Sequence, residues 1–348
     1  MSSDDPATED RPARAGAAAP LPWQEAIVAE LLVRRARWPH AMLITGPAGI
    51  GKRTLAQTLA GALLCETPGR NGAACGSCAS CRYAAAGQHP DLRVVEPIEV
   101  DGDETKAVEW ISVSHVRALT RWAELTSHRG GAKVALIVPA ERMNAAAANA
   151  LLKTLEVPPA NTYFMLVSNL PGRLPATVIS RCQRIAAPRP PPALARRWLA
   201  EQGVENAEPA LAQASFAPLR AMALADREYQ AERSAWIRML AAPAQLQVSG
   251  LAARIDDEPR EFRKDRLAAA IDWLIGWCAD LARVHAGGSA TENGEFDDRL
   301  RELARSVAAR ALFRYHRDLL RQRTLLAHPL QPRLVAETLL IDYRALFR

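Results

Sequence analysis

The sequence lacks any apolar run long enough to cross a bilayer, although hydrophobic residues make up 49% of it and aromatic residues only 5%. This absence excludes a helical membrane protein and predicts a soluble one. Residues 1–20 also lack the basic start and the apolar core of a signal peptide. They are acidic and rich in alanine and proline, so the sequence predicts a disordered tail on a cytoplasmic protein.

A strong excess of charge of one sign is also missing. The net charge is +6, and this value favours a polyanionic partner only weakly. The positive charge is concentrated at residues 299–348, which contain eleven arginines and four acids in segments with helical periodicity. A solvated or inter-subunit face is the simpler interpretation, and direct contact with DNA stays open.

Two apolar strands and one helix follow each other in the middle of the chain. Residues 134–138 and 163–167 are nearly all apolar and rich in β-branched or aromatic side chains, as in strands covered on both faces of a parallel sheet. Between them, apolar residues recur with helical spacing after Asn144, a suitable N-cap, and Pro158-Pro159 ends the pattern. The sequence therefore predicts a βαβ unit in a parallel α/β domain.

A glycine-rich loop follows the first predicted strand, at 41–45, and precedes a helical pattern at 54–64. The residues that match the phosphate-loop motif G-x-x-x-x-G-K are Gly46, Gly49, Gly51 and Lys52. In this context, backbone N–H groups and the lysine can hold phosphates. The motif then needs a Ser or Thr hydroxyl for Mg²⁺, but the position holds Arg53, and Thr54 comes one position late. ATP binding and a loop that keeps only its shape both stay open.

Four cysteines lie in a Gly/Ser-rich insertion after that helix, with the spacing C-x9-C-x2-C-x2-C. They are Cys65, Cys75, Cys78 and Cys81. The two tight CxxC steps allow four thiolates to surround a tetrahedral Zn²⁺, and four protein ligands leave no open position, so we expect a structural zinc module at 65–81. Disulfides are the alternative, and a reducing cytoplasm disfavours them.

Three short sequences near the end of the α/β region resemble the clamp-loader branch of the AAA+ ATPases. They are Asn149-ALLKTL-Glu156, Pro158-Pro159 and Ser180-Arg181-Cys182. The resemblance covers about residues 20–225 well. It implies that Arg181 is an arginine finger that reaches the nucleotide of a neighbouring subunit. It also implies the AAA+ fold, with a four-cysteine zinc module at the place where this chain has its cysteines.

The chain departs from that family at its catalytic acids. The ATPases of the branch end the central strand with an Asp-Glu pair, but the matching positions here are Val138 and Pro139. Glu141 lies several residues farther on, too far along the chain to replace a strand-end carboxylate. Ser168 and Arg220 match the two polar sensor positions of the family. The resemblance therefore implies a family member without ATPase activity of its own.

The predicted domains are a tail at 1–20, an AAA+ α/β domain at 21–188 with the zinc module, a helical lid at 189–230 and a helical oligomerisation domain at 231–348. A polar stretch at 101–106 is predicted as a loop.

The resemblance implies a subunit of the DNA polymerase III clamp loader, which helps to load the sliding clamp onto primed DNA. Its partners would be the gamma/tau ATPase subunits and the delta subunit. The chain would be part of a nucleotidyltransferase, the DNA polymerase holoenzyme, without polymerase activity of its own. An active ATPase motor subunit is one alternative, kept open by Lys52. A zinc-dependent nucleic-acid-binding module is another, suggested by the cysteines and the arginine-rich end.

Overall fold

The structure is a computed structural model that describes residues 19–101, 104–205, 207–326 and 331–347. Residues 1–18 of the predicted tail lie outside the described residues. The chain divides into two compact units, the first ending at Leu194 and the second beginning at Ala195. No described helix is both long enough and apolar enough to span a membrane. The predicted domain boundaries at 188 and 230 stay predictions.

The described part of the first unit contains a parallel sheet and a separate hairpin. The strands are β1 (Ala41–Thr45), β2 (Leu92–Val95), β3 (Ile98–Asp101), β4 (Glu104–Ala107), β5 (Lys133–Ile137), β6 (Thr162–Ser168) and β7 (Gln183–Ala186). Strands β2, β5, β6, β1 and β7 form the main sheet in that order, with every neighbouring pair parallel. Every residue of β1 and β5 is buried, as their apolar sequences predict. The predicted parallel α/β fold is confirmed.

The register of the sheet brings three strand ends together. Thr45 at the end of β1 lies opposite Ser168 at the end of β6, and Ile137 at the end of β5 lies opposite Leu166. Because the three strands are adjacent and parallel, the loops that follow them meet at one edge, which is where α/β sheets bind ligands.

The first unit also contains six helices in its described residues. They are α1 (Glu25–Val33), α2 (Lys52–Leu64), α3 (Ala79–Ala85), α4 (Val113–Glu124), α5 (Ala145–Glu156) and α6 (Ala176–Ile179). The predicted cap of α5 is confirmed, because the Asn144 side chain accepts a hydrogen bond from Ala147 N at 2.8 Å. At the C-terminal end of α4, the Nζ atom of the buried Lys133 donates a hydrogen bond to the carbonyl oxygen of Leu125 at 2.7 Å. Buried apolar residues of α4 and α5 pack into one core with strands β1, β5 and β6.

The prediction of a loop at 101–106 is wrong. Strands β3 and β4 pair antiparallel there, with Ile98 opposite Ala107 and Asp101 opposite Glu104. Residues 101–106 are all polar or glycine, and the only apolar alternation comes from Ile98 and Val100 just before them. The two strands pair only with each other.

The second unit contains only helices and turns in its described residues. Its helices are α7 (Pro192–Glu201), which begins just before the division, then α8 (Ala207–Gln213), α9 (Pro218–Leu224), α10 (Arg227–Leu240), α11 (Val248–Ala253), α12 (Arg263–His285), α13 (Asp297–Ser306), α14 (Ala309–Leu325) and α15 (Pro332–Ala345). Its core contains the buried rings of Trp236, Trp277 and Tyr343. Trp277 Nε1 donates to Tyr343 Oη at 2.7 Å, and that hydroxyl donates to Leu240 O at 2.7 Å, so buried polar atoms are satisfied across three helices.

Candidate functional site

The glycine-rich loop joins β1 to α2 at the carboxyl edge of the sheet, the context that the motif requires. Gly51 has a φ of 84°, and a Cβ atom there would lie 2.2 Å from Leu21 Cδ1, so glycine is required for conformation and for space. Gln24 Nε2 donates to Gly51 O at 2.7 Å, and Trp23 Nε1 donates to Ile50 O at 2.9 Å. These contacts fix the carbonyls of the last two residues of the loop.

Lys52 lies at the start of α2 and is fully buried. Its Nζ donates to Pro47 O at 2.6 Å, within the same loop. The ammonium group of Lys52 is therefore directed at the backbone of the loop, and its role in phosphate binding stays a prediction.

Arg53, which stands where the motif has its Mg²⁺-binding hydroxyl residue, forms an ion pair with a residue at the end of a neighbouring strand. Its guanidinium makes a two-point ion pair with Glu96, which follows β2, with Nη2 to Oε2 at 3.1 Å and Nη1 to Oε1 shorter. The Arg53 side chain is 9% exposed. The position thus offers no oxygen to a cation, and its positive charge is neutralised by Glu96. Thr54 is buried on the next position of α2.

The strand end beside the loop carries no cation ligand. Val138 follows β5 and is 4% exposed, and Pro139 comes next. Glu141 lies in the following turn, where its Oε1 accepts a hydrogen bond from Asn169 N at 2.9 Å. This carboxylate therefore ties the turn after β5 to the loop after β6. Ser168 ends β6 as a fully buried side chain whose Oγ has no hydrogen-bond partner in the described part of the chain.

The four cysteines meet in one cluster beside the end of α2. The sulfur atoms of Cys65, Cys75, Cys78 and Cys81 all lie within 4.8 Å of one another, and none is in a disulfide. Two of the sulfur pairs, Cys65 with Cys78 and Cys75 with Cys81, are 3.9 Å apart. A tetrahedral ion with metal–sulfur bonds of ~2.3 Å needs sulfur–sulfur edges of about 3.8 Å. The donor set and its spacing therefore fit a metal ion with four thiolate ligands.

Hydrogen bonds and burial act in opposite directions on these thiols. The Thr67 hydroxyl, which donates to Cys75 Sγ at 3.2 Å, is the main cause that lowers the pKa of Cys75 to about 5. Burial raises the pKa of Cys81 to about 12, and the neighbouring sulfurs contribute to that rise. Four thiolates this close repel one another unless a cation lies between them, so the cluster needs a metal to be fully deprotonated.

Arg181 lies two residues after the end of α6 and two residues before the start of β7. Its guanidinium donates from Nε to Glu156 Oε1 at 2.9 Å, makes a second and shorter contact with the same oxygen, and donates from Nη1 to Thr177 O at 2.8 Å. The side chain is 32% exposed and that of Glu156 is 49% exposed. The arginine is therefore on the surface, oriented by the last residue of α5 and by the carbonyl of α6.

A curated relative decides the family. The DNA polymerase III subunit delta' of Pseudomonas aeruginosa is 39% identical to this chain over 269 residues, which cover 75% of this chain and 77% of that protein. The chain belongs to the delta' family of DNA polymerase III subunits. A sequence model described as "DNA polymerase III, delta subunit" matches residues 24–190, which include the phosphate loop, the cysteine cluster and Arg181.

Two further similarities agree with delta' membership. The DNA polymerase III subunit tau of Escherichia coli is 38% identical over 143 residues, 41% of this chain and 20% of that protein. A solved structure of a DNA polymerase III gamma subunit-related protein from Thermotoga maritima covers 92% of this chain and 99% of that chain, with a TM-score of 0.50 and 16% identity. The structural likeness shows a shared fold.

Two acidic partners of the delta' site were missed by sequence reasoning. Glu96 and Glu156 are separated by 43 and 25 residues from the arginines that they bind. A search for acids at strand and helix ends would have found both, since Glu96 follows β2 and Glu156 ends α5. The pairing itself depends on which ends become neighbours in the fold. The sensor assignments of Ser168 and Arg220 stay predictions.

Proposed function

We propose that this delta' family member is a subunit of the DNA polymerase III clamp loader, which loads the sliding clamp onto primed DNA in the cytoplasm. In this proposal it assembles with the gamma/tau ATPase subunits and the delta subunit, and it hydrolyses no ATP itself. The names of its relatives support membership in DNA polymerase III, since they are delta' and tau subunits.

The observation that carries the proposal is the contrast between Arg181 and the chain's own phosphate loop. The strand end beside that loop has Val138 and Pro139 in place of acids, and Arg53 is paired with Glu96. Arg181 meanwhile lies on the surface with its planar guanidinium held at two atoms. A subunit that cannot place Mg²⁺ or water, yet presents an oriented guanidinium, is suited to act on a neighbour's nucleotide.

The chemistry of that action is charge stabilisation. A guanidinium supplied in trans stabilises the negative charge that develops on a transferred γ-phosphate, with rate effects of ~10³–10⁵ in well-studied cases. The contact with Glu156 is with a half-exposed carboxylate, so exchanging it for a phosphate costs little. Arg181 can therefore leave its partner when a nucleotide arrives at the subunit interface.

We also propose that the metal held by the four cysteines is Zn²⁺ and that it is structural. Four thiolate ligands suit zinc and fill its tetrahedral coordination, which leaves no position for a substrate. The cluster joins residues from the end of α2 to the start of α3, so the ion would fix the insertion between these helices.

The decisive experiment replaces Arg181 in a reconstituted clamp loader. Arg181→Ala should leave ring assembly intact and lower ATP hydrolysis at the adjacent site by about 10³-fold or more, with slower clamp loading. Arg181→Lys should also be defective, because an ammonium lacks the planar two-point fork.

The matched control is Arg184→Ala, which removes another exposed arginine, on the edge strand β7. Assembly is checked by gel filtration and hydrolysis by single-turnover phosphate release. A complex with Arg181→Ala that hydrolyses ATP and loads clamps at the wild-type rate would show that this arginine has no catalytic role.

A further inference from the structure

The outward face of α14 carries a continuous stripe of arginines. Leu312, Tyr315 and Leu319 of this helix are buried in the core of the second unit. The exposed arginines on the opposite side are Arg310, Arg314, Arg317 and Arg321. Their spacing of four, three and four residues places them on one face of the helix, over a length of about 16 Å.

The four arginines of this stripe make no ion pair within the described residues. Other arginines of the same unit do, for example Arg323 with Asp272 at 2.7 Å and Arg301 with Asp297 at 2.7 Å. The one acid of α14, Asp318, lies beside the stripe. The stripe therefore keeps a net positive charge in a unit where ion pairs are common.

Two apolar side chains lie along one edge of the stripe. Phe313 is 60% exposed and Leu320 is 47% exposed, seven residues apart. His316 and Arg317 lie between these two apolar residues in the sequence. A helix that packs against a partner has three to four apolar residues per two turns on the contacting face, and this edge of α14 has only two. This pattern disfavours a partner helix and suits a polyanion that also offers flat apolar surfaces.

We propose that the outward face of α14 binds single-stranded DNA, with the arginines on its phosphates and the Phe313 ring stacked on a base. A basic track with an aromatic side chain is the combination that binds single strands without sequence preference. The inference goes beyond the proposed role of Arg181, because it concerns the second unit and needs no neighbouring subunit.

The test measures fluorescence anisotropy of a labelled oligothymidine with the isolated full-length chain at several low salt concentrations. If all four arginines contact phosphates, log K should fall against log salt with a slope of about −2.8, and the double variant R314A/R317A should reduce the slope by about 1.4. Phe313→Ala should weaken binding about tenfold with the slope unchanged, and Phe313→Leu should not restore it.

The matched control is R196A/R197A on α7, which removes two exposed arginines that are paired with Glu208 and Glu201. It should bind DNA like the wild-type chain, and circular dichroism should show that all variants are folded. Absence of salt-dependent binding by the wild-type chain, or equal losses in R314A/R317A and the control, would overturn the inference. So would α14 variants that bind DNA normally but fail to co-purify with loader subunits, since the face would then be a subunit interface.

Discussion

Two buried charged side chains, Asp91 and Lys133, bind the backbone of the segment that follows α4 in the first unit. Asp91 is fully buried and accepts hydrogen bonds from His128 N at 2.8 Å, from Arg129 N at 2.9 Å and from Ser127 Oγ at 3.0 Å. Lys133 is nearly as buried and donates to carbonyls at the end of α4. A charge removed from water is stabilised only by such complete hydrogen bonding, so each of these residues fixes one loop conformation.

Replacing Asp91 with asparagine should destabilise the first unit. Burial of the carboxyl opposes its ionisation, but the hydrogen bonds from His128, Arg129 and Ser127 outweigh burial and lower the pKa of Asp91 below its ordinary value. An amide group loses the charge and cannot accept all three bonds, so we expect Asp91→Asn to lower the free energy of unfolding by about 1–3 kcal/mol at neutral pH.

The pH dependence gives the sign of that effect. A carboxyl with a lowered folded pKa stabilises the protein above its unfolded pKa, and this contribution disappears as the pH falls through the folded value. The gap between wild type and Asp91→Asn in urea unfolding should therefore be constant near neutrality and shrink below about pH 4. Asp318→Asn, at an exposed position, is the control. A gap that stays the same at acid pH would show that the Asp91 charge contributes nothing.

At the level of elements, we expect the stability of the cysteine insertion to depend on a bound metal ion. The segment between α2 and α3 is short of buried apolar residues, so the four sulfurs supply most of its cohesion. We expect about one Zn²⁺ per chain by elemental analysis, and a lower melting temperature after removal of the metal by a chelator.

Cys78→Ser should reduce the zinc content and the melting temperature, because it removes one of four ligands. Cys278→Ser is the matched control, since Cys278 is fully buried in the second unit and far from the cluster in sequence. It should keep the zinc, whatever its effect on stability. A stable wild-type protein with four titratable thiols and no metal would contradict the assignment.

Local patterns in the sequence were sufficient for the three central strands of the main sheet, while its edge strand β7 was not predicted. The apolar runs of β1, β5 and β6, the cap at Asn144 and the phosphate loop each carry their signal within a few residues. The β3–β4 hairpin carries only a weak signal, because its alternation is limited to Ile98 and Val100 and its two strands pair only with each other. The ion pairs of Arg53 and Arg181 were also beyond prediction, since they join residues that only the strand order makes neighbours.

For the whole molecule, we expect an AAA+ fold without ATP turnover. Lys52 donates to the backbone of the loop between β1 and α2, and neither Val138 nor Pro139 has a side chain that could bind Mg²⁺ or orient water. We expect no multiple-turnover ATP hydrolysis by the purified chain, measured as phosphate release. Hydrolysis that disappears in Lys52→Ala would identify the chain as an active motor subunit.

The ion pair between Arg53 and Glu96 has a consequence for reversibility. Arg53→Thr would supply the hydroxyl but would leave the Glu96 carboxylate, which is 27% exposed, without its partner. Repair of the magnesium site therefore requires coordinated changes on three segments, α2, the end of β2 and the end of β5. We therefore expect that no single substitution turns this chain into an active ATPase.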